Sequence, residues 1–93
     1  MATFQDRLDK AAEAGALSTV DLATWFDLSD ATMRSFRNGS MPVPARRAQI
    51  EQRLTWLESA IKNDPRLPVP LSVRAGDRKA YITGVRDSGR RKR

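Results

Sequence analysis

The chain of 93 residues contains no cysteine and no histidine, so its chemistry rests on eleven carboxylates, seventeen Lys and Arg side chains and scattered hydroxyls. Disulfides, thiolate or imidazole metal sites and every Ser-His or Cys-His nucleophile are excluded by that inventory. A carboxylate or lysine mechanism is what remains for catalysis, yet no convergent carboxylate pair and no Gly-rich phosphate loop supports one. The sequence therefore predicts no enzyme, no catalytic residue, no cofactor and no metal. Its charge is distributed unevenly instead. Residues 1–30 carry two bases (Arg7, Lys10) and six acids (Asp6, Asp9, Glu13, Asp21, Asp27, Asp30), a net −4, whereas residues 31–93 carry fifteen bases and five acids, a net +10. A chain split in this way offers a basic side to something anionic, and nucleic acid is the commonest such partner.

The elements that must hold those charges follow from periodicity and caps. With 40% hydrophobic but only 6% aromatic residues, the chain suits one small domain with a modest core. Thr3 with Asp6 is a capping pattern before Phe4, Leu8 and Ala11/Ala12, predicting a helix over about 4–14 with Gly15 as its stop. Ser18 with Asp21 repeats the pattern before Leu22, Ala23, Trp25 and Phe26, a short helix over about 19–26. After Asp27-Leu28-Ser29, a third helix runs to Arg37, carries Met33 and Phe36 inward and ends at Asn38-Gly39. A longer helix over about 44–62 begins at Pro44. Its Ile50, Leu54, Leu57 and Ile61 form a stripe that serves as core or as a homodimer seam, with core the better reading in so small a domain. Beyond Asn63-Asp64-Pro65 the period changes to two. Leu67, Val69, Leu71 and Val73 alternate with Pro68, Pro70, Ser72 and Arg74, and a second run spans Lys79 to Arg86. With Gly76-Asp77 as the turn, these runs predict a β-hairpin. Residues 88–93, Ser-Gly-Arg-Arg-Lys-Arg, have no apolar side chain and read as a disordered basic tail.

The predicted fold class is thus mainly α: a helix-turn-helix bundle with a long fourth helix (1–62), a C-terminal β-hairpin extension (63–87) and a basic tail (88–93). No apolar run reaches ~18 residues, and Ala2-Thr3-Phe4-Gln5-Asp6 is unlike a signal peptide, so a cytoplasmic protein without a membrane partner is expected.

Residues 18–39 are the informative stretch. Two short capped helices joined by a three-residue break must cross steeply, with Ala23 allowing close approach and Leu28 and Met33 filling the angle. The N-terminal half of the second helix is left exposed, and its free amides and positive dipole end suit a phosphate-lined groove. Leu22-Ala23, Leu28-Ser29, Thr32-Met33, Phe36, Asn38-Gly39 and Pro42 together resemble the helix-turn-helix of the lambda-repressor-like, Xre/Cro-type DNA-binding proteins. The resemblance covers about residues 3–60. Asp27 stands where that family usually has a turn glycine, Thr19 where a glutamine is frequent, and the later helices differ.

The resemblance implies a sequence-specific regulator of transcription on double-stranded DNA, of bacterial or bacteriophage type, acting as a homodimer with a recognition helix over about 29–37. It directs Ser29, Asp30, Ala31, Thr32 and Ser35 toward base edges or flanking phosphates, with Arg34 and Arg37 close by. Arg pairs with guanine, Ala31 and the Thr32 methyl meet thymine methyls, and Asp30 accepts from cytosine N4. Asn38, Ser40, Arg46 and Arg47 are backbone candidates, and Thr19 holds the weakened clamp position. The basic hairpin face, with Arg74, Arg78 and Lys79, is a candidate wing across phosphates. Two rival readings accompany this one. A small-terminase-like DNA-recognition subunit of phage assembly would form a ring, and a docking module would bind a polymerase or another protein partner through the hairpin or tail.

Overall fold

The computed structural model describes residues 3–91, with side chains through residue 88. Five α-helices make up most of it: α1 (Phe4–Gly15), α2 (Thr19–Phe26), α3 (Asp30–Arg37), α4 (Pro44–Asn63) and α5 (Arg78–Arg91). Among the described residues no helix is long and apolar enough to cross a membrane.

The helix starts are where side-chain chemistry requires them. The Thr3 hydroxyl accepts from Asp6 N, and the Asp6 carboxylate accepts from Thr3 N. Ser18 and Asp21 repeat the reciprocal pair at α2, and the Ser29 hydroxyl accepts from Thr32 N at α3. Each pair satisfies amides that have no partner inside the helix. The stops differ from expectation at one place. Gly15 is the last helical residue, and Ala16 takes the left-handed conformation with φ +54°. The glycine serves close packing instead: a Cβ there would lie 3.0 Å from Leu17 Cδ1 and 3.2 Å from Ile61 Cδ1. Asp27 closes α2 with φ +57°, the left-handed geometry for which glycine is usually chosen and which Asp tolerates better than most residues. After α3, Asn38 stays at negative φ and Gly39 alone turns positive, at +106°.

One core joins all five helices. Phe4 and Leu8 of α1, Leu22, Trp25 and Phe26 of α2, and Met33 and Phe36 of α3 pack with Ile50, Leu54 and Leu57 of α4. Phe4 meets Phe36 edge to face at 5.7 Å, and Trp25 meets Trp56 at 5.3 Å. The α4 stripe is therefore consumed by the monomer's own core: Leu54 and Leu57 are fully buried, and Ile61 and Trp56 pack against the cluster. A bidentate contact from Arg7 to Glu58, with Nε–Oε2 at 3.2 Å, ties α1 to α4 beside the same stripe.

The C-terminal third corrects the predicted β-hairpin. No strand occurs among the described residues. Residues 64–77 form an extended loop ending in a short 3-10 turn (Ala75–Asp77), and residues 78–91 form α5. Leu67 and Val69 are buried, as the alternation suggested, but they are anchors of a strap. Val69 N donates to Gly15 O at 2.9 Å and Tyr81 Oη donates to Arg66 O at 2.6 Å. Leu71, the next member of the alternation, is fully exposed. In α5 the inward residues are Arg78, Tyr81, Ile82 and Val85, spaced three, one and three apart, which is a helical face. Residues 88–91, expected in a disordered tail, continue the α5 backbone, and Lys92 and Arg93 lie outside the described residues.

Because the α4 stripe is core, Leu54→Ala is expected to cost about 2–5 kcal/mol through its transfer and cavity terms. Urea unfolding checks the loss, and sedimentation velocity should show an unchanged oligomeric state; dissociation into smaller species without loss of monomer stability would place a seam there after all.

Candidate nucleic-acid interface

α2 and α3 are two short helices joined by a break of three residues, set by Asp27 in the left-handed region and by Ser29 as the α3 cap. Leu28 N donates to Ala23 O at 2.9 Å, closing the α2 end. Met33 and Phe36 face the core, and the opposite side of α3 is at the surface of the described residues. Asp30, Ala31, Arg34, Ser35 and Asn38 are all exposed, and their spacing places them on one side of the helix. The Arg34 guanidinium has no ion-pair or hydrogen-bond partner among the described residues. Ser29 Oγ donates to Thr32 Oγ1 at 2.8 Å, so these two hydroxyls are coupled at the start of the face.

The structure divides the predicted arginines into two sets. Arg37 turns back into the bundle: its Nε donates to Asp9 Oδ1 at 3.1 Å, its Nη1 to Thr19 Oγ1 at 3.2 Å, and its carbonyl accepts from Gln5 Nε2 at 2.7 Å. Both Arg37 and Thr19 thereby join α3 to α1 and α2. Arg78 is likewise committed. Its Nε donates to Asp21 Oδ2 at 2.9 Å and its Nη2 to Ala16 O at 2.7 Å. Asp21 is the buried carboxylate that caps α2. Burial pushes its carboxyl up, but the Arg78 guanidinium and the Ser18 N–H and hydroxyl outweigh that and hold it below the usual carboxylate range. The hydrogen bond to Asp21 raises Arg78 in turn.

The other candidates lie on the surface. Ser40, Arg46 and Arg47 are exposed beyond α3 and in the first turn of α4, with Arg47 Nε 3.7 Å from Glu51 Oε2. Arg46 shares a groove with Thr32 and Leu28, which brings it beside α3. Lys79 and Asp30 line one cleft between α2 and α5, so the start of α5 flanks the start of α3. Arg74 is exposed in the loop before α5, and no contact brings it to the α3 face. Two residues were missed from the sequence. Arg53 and Gln49 line a cleft with Arg46 and Asp27 against the turn, and the signal was the spacing of 46, 49 and 53 around buried Ile50. No group of three or more His, Cys, Asp or Glu among the described residues could hold a metal ion.

No family model, curated protein or solved structure matches this chain.

The Asp21–Arg78 pair sets a pH dependence. Asp21 has a folded pKa below its unfolded value of about 3.9, so its contribution is present above about pH 4 and is lost as pH falls through the folded value. Arg78→Met leaves the buried carboxylate without its cation and is expected to cost about 3–5 kcal/mol at neutral pH, with the cost shrinking below about pH 4. Denaturant unfolding of both proteins across pH 3–7 measures this, and a pH-independent difference would mean that the pair's charge is not what stabilises the fold.

Proposed function

We propose that this chain is a non-enzymatic, sequence-specific double-stranded DNA-binding regulator of transcription that places α3 in the major groove. The observation that carries the reading is the exposed face of α3, which presents Asp30, Ala31, Arg34 and Ser35 while Met33 and Phe36 anchor the helix from behind. Protruding, rigidly backed helices of this kind read base edges, and the resemblance of residues 22–42 to lambda-repressor-like proteins supports the same use.

Chemistry assigns the roles. Arg34, unpaired, reaches guanine O6 and N7; Ala31 meets a thymine methyl; Asp30 accepts from cytosine N4 and disfavours phosphate, trading affinity for discrimination. Asn38, Ser40, Arg46 and Arg47 follow the backbone on one side of α3, and Lys79 at the start of α5 does so on the other. The flank is thus a helix start where a hairpin wing was expected. Arg37 and Thr19 act as positioning residues that hold α3 on α1 and α2. A homodimer on half-sites about one helical turn apart completes the reading; since the core takes up the α4 stripe, its seam is another surface.

In vitro selection from random duplexes, followed by anisotropy titration on the enriched site, tests it. Arg34→Ala is expected to cost about 1–3 kcal/mol of affinity and relax one base position, whereas Arg37→Ala should keep the base preference and lose about 1 kcal/mol of folding stability. Failure of any sequence to enrich, or an unchanged site and affinity in Arg34→Ala, would remove α3 from the groove.

A further inference from the structure

We infer that the groove between the α3–α4 connection and α4 is a docking surface for an acidic, amphipathic helical segment of a protein partner. Two stretches of about 280 and 270 Å3 meet there and share Leu28, Arg46 and Ile50. The first is apolar, with Phe36, Met41, Pro42 and Val43 around it. Met41 and Val43 are 48% and 60% exposed, two of only four large hydrophobic side chains so exposed among the described residues, and both line one concavity. The second stretch is polar and carries Arg46, Gln49 and Arg53.

Charge complementarity selects the occupant. Arg46 has no carboxylate partner among the described residues, and Arg53 spends one nitrogen on the Trp25 carbonyl at 3.1 Å. Asp27, at the far end, is the one carboxylate among the residues lining either stretch. A helix with apolar residues three and four apart would cover Met41, Val43 and Leu28 with one face and bring carboxylates on its flank to Arg46 and Arg53. A sugar-phosphate backbone satisfies the arginines but leaves the apolar stretch without a counterpart. A second copy of this chain lacks the matching element, because its acidic helix α1 already buries Phe4 and Leu8 in its own core. The surface adjoins the α3 face but does not depend on that face reading DNA.

The test uses the full chain and a fluorescein-labelled peptide about fifteen residues long, at the margin of independent helix formation, with Leu at positions i, i+4, i+7 and i+11 and Glu predominating elsewhere. Anisotropy is measured at ~0.15 M salt, where loose charge attraction is screened. The patterned peptide is expected to bind at least about tenfold more tightly than a scrambled peptide of the same composition and than a version with Lys in place of Glu. The surface variants Met41→Ser/Val43→Ser and Arg46→Glu should each weaken it about tenfold, a loss of about 1.4 kcal/mol, with circular dichroism confirming the fold. Equal binding of patterned and scrambled peptides, absence of binding, or an unchanged affinity in Met41→Ser/Val43→Ser overturns the proposal. Duplex DNA binding that Met41→Ser/Val43→Ser weakens as strongly would assign the groove to nucleic acid instead. Peptide binding without DNA binding supports the groove and counts against the α3 reading alone, and DNA binding without peptide binding does the reverse.

Discussion

The Asp21 carboxylate holds more of this molecule together than any other polar group. It accepts from Ser18 N and so starts α2; it also accepts from Arg78, the first residue of α5. The same guanidinium reaches the carbonyl of Ala16, where α1 has just ended in a left-handed residue. The α1–α2 junction, residues 16–21, and the start of α5, far apart in sequence, are thus gathered at one ion pair. A buried carboxylate is costly to desolvate, and here hydrogen bonds from a cap and a cation offset that cost. Directional bonds set the angle at which α5 lies on α2, while Ile82 and Val85 supply the apolar contact.

The allocation of arginines follows from this economy of contacts. In a bundle with few aromatic residues, long side chains lace the helices together: Arg7 to Glu58, Arg37 to Asp9 and Thr19, Arg78 to Asp21, Arg86 to the Thr24 carbonyl at the end of α2. The last of these also places positive charge at a helix C-terminus, where the dipole favours it. Each such ion pair removes one charge of either sign and leaves the net charge of +6 unchanged, but it decides which cations stay at the surface, and Arg34 and Arg46 beside α3 and Lys79 at the start of α5 are among them. Composition points to an anionic partner, but only the pairing pattern says which cations are available to meet one.

The C-terminal segment shows why pattern alone misleads. Val69, Ile82, Thr83 and Val85 are strand-favouring residues, Gly76-Asp77 suits a hairpin turn, and Leu67 to Val73 alternates cleanly. The same residues also contain a helical face at Tyr81, Ile82 and Val85, only three positions long and interrupted by Gly84, too short to outweigh the alternation as a local pattern. What decides between them is a partner: α2 offers an apolar groove and the Asp21 carboxylate, and a helix can meet both at once whereas a two-stranded hairpin has no third strand to stabilise it. Proline at 68 and 70, unable to donate to a ladder, agrees with the strap that forms instead.

Local chemistry determined the first four helices by itself, because capping boxes at Thr3/Asp6 and Ser18/Asp21, the Ser29 cap, Gly39 and Pro44 act within a few residues and need no tertiary partner. The same locality made the exposed face of α3 legible, since burying Met33 and Phe36 obliges Asp30, Ala31, Arg34 and Ser35 to face away. Tertiary structure alone decided that Arg37 and Arg78 are fasteners and that residues 78–91 are helical, and it resolved in favour of core an α4 stripe whose spacing also allowed a dimer seam. Arg37 depends on Asp9, and Arg78 and α5 depend on Asp21, both far away in the chain, and no local spacing can report a neighbour that only folding brings within reach.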